Sequence, residues 1–206
     1  MQTIDPVFEK KIKSTGATTG LLFGAISLVL GIFDFYYMTT MASSFWMMVL
    51  VPFVASVIVP IVIAIFFSID FRKKIGGFWS FKQATTGIFI MFFVGYLVSF
   101  AGNLVFSKVI EPNMVDKMET AMVSATTTMM QKANSPQDQI DQAVEKTQKS
   151  FEDQKVQTAG KILKSLAISV IVCFVFALIF GAIFKKDKPL FDTPIDELDP
   201  PVTPAV

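Results

Sequence analysis

Side chains able to do chemistry are scarce in this sequence and stand apart from one another. The chain has no histidine and a single cysteine, Cys173, among its 206 residues. Ser-His-Asp and Cys-His nucleophile systems and histidine-based metal centres are therefore excluded. An internal disulfide and a thiolate metal cluster are excluded as well. No cofactor is expected, and the chain reads as a non-enzyme. Asp34 is the one acid that falls inside an apolar stretch, and a carboxylate there requires a partner or a proton. Asn103 is expected at a similar depth, so an Asp34–Asn103 contact is the specific polar pair anticipated. The competing interpretation of Asp34 is that it reaches headgroup water or merely caps the bundle. Gly76-Gly77 lacks the spacing of a phosphate-binding loop. Asp138 and Asp141 look like solubilising charge on a helix, Asp70 with Arg72, Lys73 and Lys74 like an interfacial anchor, and Cys173 like a small buried hydrophobe.

The elements that must position Asp34 and Asn103 are membrane spans. Hydrophobic residues make up 52% of the chain against 17% charged, with mean hydropathy +0.57 and 22 phenylalanines. Four stretches of about 20 to 24 mostly apolar residues follow, roughly Gly16 to Tyr37, Phe45 to Ile69, Ala84 to Phe106 and Ile162 to Phe184, each long enough to cross a bilayer. The second carries Pro52 and Pro60, which a membrane helix tolerates where neighbours re-satisfy the freed carbonyls. The first could also be read as a secretory signal, but it is long and lacks a convincing cleavage site. The expected fold is thus an all-α integral membrane protein: a segment 1–15, spans one to three within 16–106, an extracytoplasmic helical hairpin at 107–161, span four at 162–184, and an acidic, proline-rich tail at 185–206 expected to be disordered.

Lysine and arginine set the orientation. Lys10, Lys11 and Lys13 precede span one; Arg72, Lys73, Lys74 and Lys82 lie between spans two and three; Lys185, Lys186 and Lys188 follow span four. With four crossings these clusters share one side, which puts both termini in the cytoplasm and the hairpin outside. Trp46, Tyr36 and Tyr37 then belong to an aromatic belt at the outer interface and Trp79 to one at the inner interface. The basic residues sit where anionic lipid explains them, so membrane lipids rather than nucleic acid are the expected contacts.

Small residues mark helix packing. Gly16, Gly20, Gly24, Ser27 and Gly31 repeat at steps of three and four, a small-xxx-small stripe that allows close helix approach. Span three, read as running opposite to span one, places Gly95, Ser99, Gly102 and Asn103 along one side. Outside, Met114, Met118, Ala121, Met122, Ala125 and Met129 recur at helical spacing, Asn134-Ser135-Pro136 breaks the helix with Ser135 as the next N-cap, and Ile140, Val144, Thr147 and Phe151 form the facing stripe. The second hairpin helix is expected to run into span four with a bend at most at Gly160. The two stripes either pack only on each other or present the methionines, with Phe151, to a partner, since flexible thioethers repack readily.

Between spans two and three, Gly76 and Gly77 predict a sharp turn, Ser80 with Gln83 a capping box, and Phe78, Trp79 and Phe81 burial in the interface. This linker, Ile75-Gly76-Gly77-Phe78-Trp79-Ser80-Phe81-Lys82-Gln83-Ala84, followed by Ile110-Glu111-Pro112-Asn113, resembles the bacterial four-span membrane family called domain of unknown function 4199, over about Ser14 to Phe184. The resemblance implies four spans and a helical insertion before the last one, gives no catalytic residue, and implies an association with polyprenyl-phosphate glycosyltransferases. Without a catalytic constellation, the expected role is an accessory or assembly subunit bound to itself or to another membrane protein. The alternative is a small oligomeric transporter or lipid-linked-sugar flippase using Asp34 and Asn103; a membrane enzyme ranks third.

Overall fold

A computed structural model describes residues 6–156 and 158–187. Its helices are α1 (Pro6–Tyr36), α2 (Phe45–Phe53), α3 (Val59–Lys74), α4 (Phe81–Val105), α5 (Met114–Lys132), α6 (Gln137–Lys155) and α7 (Ala159–Phe184). Three π-helical turns extend or join them, at Tyr37–Met41, Val54–Ile58 and Phe106–Ile110. Counted with these turns, four helical units are long and apolar enough to cross a membrane: Pro6–Met41, Phe45–Lys74, Phe81–Ile110 and Ala159–Phe184. Among the described residues the only strand-like pairing is one isolated bridge, between Trp79 and Lys186. The tail expected at 185–206 lies outside the described residues from Lys188 onward.

The basic segment before span one is not a separate element. Proline is suited to the first turn of a helix because it has no N–H to leave unpaired, and α1 runs unbroken from Pro6 into the apolar stretch. Ile12 is buried there beside Phe71 and Gly87.

The most extensive interface joins α1 to α4, and glycine creates it. A Cβ added at Gly16 would lie 2.8 Å from the Gly87 carbonyl oxygen, at Gly20 2.6 Å from that of Met91, and at Gly24 2.5 Å from that of Gly95. Partners advance together, four residues at a time on each helix, so α1 and α4 run parallel. This corrects the antiparallel expectation: one crossing, span two, separates spans one and three, so the chain re-enters in its original direction. The stripe also ends sooner than its spacing implied, because the nearest atom to a Cβ on Gly31 is Asn103 Nδ2 at 4.0 Å. Ser99 Oγ crosses the same interface and donates to the Gly24 carbonyl at 2.9 Å.

Helix α7 packs on α4, and its buried residues, Ala177, Phe180, Gly181 and Phe184, lie in its later half. Gly181 seats against Thr85 of α4, with no room for a Cβ. The first half of α7 carries exposed Ile162, Leu163, Ile168 and Ile171. The apolar core therefore lies toward the end of the bundle that bears the Gly76-Gly77 linker, around Phe71, Ile75, Trp79, Ile88 and Phe92.

At that end α3 stops in a Schellman motif. Gly77 N–H donates to the Arg72 carbonyl at 2.8 Å and Gly76 N–H to that of Lys73 at 3.2 Å. The motif needs a left-handed residue, and Gly76 has φ +115° and Gly77 φ +85°. Ser80 then caps α4 in a complete capping box with Gln83, as anticipated.

Candidate functional site

The polar groups singled out from sequence do not form one site. Asp34 is 7% exposed. Because the Tyr37–Met41 turn continues the helix, Asp34 sits seven residues before its end, about 10 Å along the axis at 1.5 Å per residue. Its Oδ2 accepts the hydroxyl hydrogen bond of Ser56, from the π turn in the second span, while Oδ1 is buried with no hydrogen-bond partner among the described residues. Asn103 does not complete the pair. Its Nδ2 donates to the Ser99 carbonyl of its own helix at 3.0 Å. The expected Asp34–Asn103 contact is thus replaced by Asp34–Ser56.

The reason lies in the second span. Pro52 and Pro60 have no N–H to give the carbonyls of Met48 and Ser56, and between them the chain widens into a π turn whose Val59 N–H reaches back five residues to Val54. A π turn adds a residue to the helical repeat and so shifts the face on which every later side chain lies. Ser56, an isolated serine in an apolar run, is brought round to α1 by that shift. The only available signal was its position between the two prolines.

A second polar junction, unanticipated from sequence, ties spans one and three at the opposite end from the linker. Tyr36 Oη donates to Glu111 Oε1 at 3.2 Å, and Lys117 Nζ pairs with Glu111 Oε2 at 2.6 Å. Phe106 stacks edge-on to Phe35 and Tyr36 beside them. The Lys117 hydrogen bond holds the Glu111 carboxyl below its ordinary range, against a smaller desolvation effect.

The hairpin is formed by α5 and α6 and rises at this same end. A second Schellman motif closes α5, with Asn134 in the left-handed region at φ 52° and Ser135 N–H on the Met130 carbonyl at 3.0 Å. Ser135 is thus the residue after the C-terminal turn rather than an N-cap, because α6 begins only at Gln137 with Pro136 in the cap position. Ala125 and Thr126 on α5 and Ile140 and Phe151 on α6 are buried, and α5 also packs on α2 and on the Tyr37–Met41 turn, with Ala125 on that side. Met114, Met118, Met122 and Met129 are half-buried. Lys155 bridges Asp116 and Glu119, both at 2.7 Å, and closes the base of the hairpin. These bonds, to Asp116 first, raise the Lys155 amine above its ordinary value. The helix does not run on into span four as expected: α6 ends at Lys155, and α7 starts afresh at Ala159, with Thr158 Oγ1 accepting from Lys161 N–H at 3.4 Å. Between α5 and the Ala42–Ser44 turn lies an open cavity of about 440 Å³, lined in part by Thr39, Thr40, Ser43, Thr128, Trp46 and Lys132.

Trp79 is corrected most. It is 2% exposed, not in an interfacial belt. Its ring packs on Phe71 with centroids 5.1 Å apart, its Nε1–H donates to the Phe184 carbonyl at 2.8 Å, and its backbone exchanges two hydrogen bonds with Lys186. It anchors the C-terminal end of α7. Lys186 folds back over the Phe78 ring at 5.2 Å. Phe81 stays exposed, and so does Trp46, at 63%.

Four apolar helices of spanning length, joined by glycine and serine contacts through their interior, define an all-α multi-pass membrane protein. The chain belongs to the family described as "Protein of unknown function (DUF4199)", whose model matches residues 18–186. No curated protein and no solved structure matches it.

Proposed function

We propose that the protein is a non-enzymatic accessory or assembly subunit of a bacterial inner membrane, binding a second copy or another membrane protein through its hairpin and spans. One observation carries this reading. The hairpin encloses a core of few residues, and its methionines are left half-covered along α5. A two-helix projection with so thin a core gains from a further apolar surface, and unbranched thioethers adapt to one. The exposed first half of α7 would extend the same interface into the bilayer. Lysine and arginine placement supports cytoplasmic termini and an external hairpin. Family resemblance suggests a polyprenyl-phosphate glycosyltransferase as one partner to seek.

The test uses a single cysteine placed at Met118 or Met122 in a Cys173→Ala background, crosslinked in native membranes and identified by mass spectrometry. A crosslinked second copy or a reproducible membrane partner is expected; recovery of monomer alone would refute the reading. A small oligomeric transporter or lipid-linked-sugar flippase is the second reading, favoured by the buried Asp34 Oδ1. It no longer has Asn103 as a direct partner for that acid. If Asp34→Leu inserts normally and leaves every measured phenotype unchanged, that second reading loses its anchor.

A further inference from the structure

Asp34 poses a charge problem that no described side chain solves. The carboxylate is buried, one oxygen takes the Ser56 hydroxyl, and the other has no donor among the described residues. No lysine or arginine stands in the chain from Ser14 to Tyr37, from Phe45 to Ile69, or from Gln83 to Ser107. The titratable groups on the elements packed around it are Tyr36 and Tyr37 on its own helical unit, Tyr96 on α4, and Asp116, Lys117, Glu119 and Lys132 on α5, which packs on the end of span one and on α2. Asp116 and Glu119 are held by Lys155, Lys117 by Glu111, and Lys132 lines the cavity beside Met38 and Thr39. Lys108 and Glu111 lie at the end of span three, and Glu111 is already held by Lys117. Span two supplies none before Asp70. An uncompensated carboxylate in such surroundings costs several kcal/mol, so its charge must be met by something other than a fixed side chain.

The neighbouring atoms indicate what. Ser56 contributes a hydroxyl oxygen, and its own carbonyl lacks the usual donor because Pro60 has no N–H. A carboxylate and a hydroxyl offer oxygen donors alone, which suit small hard cations rather than soft metals. We propose that Asp34 and Ser56 form an exchangeable site for a monovalent cation, either a proton or a sodium ion, inside the helix bundle. The site depends on neither functional reading above: partner crosslinking can fail while the cation site stands, and the reverse.

The full-length protein, in mild detergent and in liposomes, is treated with dicyclohexylcarbodiimide, an apolar reagent that modifies protonated carboxyls, and the modified residue is mapped by mass spectrometry. Asp34 is expected to be the dominant site, with Asp34→Asn removing it. If the occupant is a proton, modification falls as pH rises and ignores sodium. If it is sodium, sodium chloride suppresses modification at constant pH while potassium chloride of equal ionic strength does not. Ser56→Ala should move the pH or sodium midpoint at least about threefold, whereas Ser27→Ala, whose hydroxyl bonds the Phe23 carbonyl of its own helix, should not. Modification of Asp34 that is absent throughout, or indifferent to both pH and sodium, overturns the proposal. So does a Ser56→Ala midpoint equal to that of the unaltered protein.

Discussion

Replacing Gly24 by alanine puts a methyl group where α4 already stands. The added Cβ would lie 2.5 Å from the Gly95 carbonyl oxygen, 2.7 Å from Val98 Cβ and 2.9 Å from Gly95 Cα, against an ordinary contact of at least 3.4 Å. Two of those atoms belong to backbone and cannot rotate away, so the helices must separate by roughly 0.9 Å at this level. That movement stretches the Ser99–Gly24 hydrogen bond from 2.9 Å past its useful range. Overpacking of this kind costs about 1–3 kcal/mol, and an interhelical hydrogen bond in a membrane contributes about 0.6 kcal/mol. Alanine returns up to about 1 kcal/mol through its greater helix propensity. The expected net loss is about 2 kcal/mol, and Gly24→Val should lose more. The measurement is reversible unfolding in mixed micelles, titrated with a denaturing detergent. Gly31→Ala serves as the control, because its nearest neighbour is 4.0 Å away and it should be neutral or slightly stabilising. Equal stability of Gly24→Ala and Gly31→Ala would refute the close-packed α1–α4 interface.

Two further outcomes follow from the ends of the bundle. Trp79→Phe leaves the Phe184 carbonyl without its indole donor and should cost about 1–2 kcal/mol in thermal unfolding, with faster tryptic cleavage at Lys185 and Lys186; an unchanged cleavage rate would show that Trp79 does not hold the end of α7. At the hairpin end, the depressed Glu111 carboxyl contributes stability that is fully present above its unfolded value, near pH 4.3, and is lost as pH falls through the lower folded value. Glu111→Gln should therefore melt slightly below the unaltered protein at neutral pH and converge with it in acid, whereas a melting difference that persists in acid would assign the effect to packing.

The fold was legible to the extent that it is a property of single segments. Spanning length and hydropathy located the four membrane helices, the glycine repeat marked the face of α1 that meets a neighbour, and Ser80 with Gln83 marked the start of α4. Each signal is local because burial in hydrocarbon and the capping of free N–H groups depend on a few adjacent residues. The polar sites were less legible. Trp79 looked like an interfacial aromatic because the residues it holds, Phe184 and Lys186, lie more than a hundred positions away. Tyr36 and Glu111 likewise meet only when spans one and three have docked.

By itself the sequence determined that four segments must lie in a bilayer and that glycine would govern the packing of the first, since both follow from side-chain size and polarity along one helix. The tertiary structure decided which partner each polar group finds. Asp34 meets Ser56 rather than Asn103 because a π turn between two prolines changes the rotation of the second span. Rotation about a helix axis leaves composition and hydropathy unchanged, and it is fixed only when the helices pack.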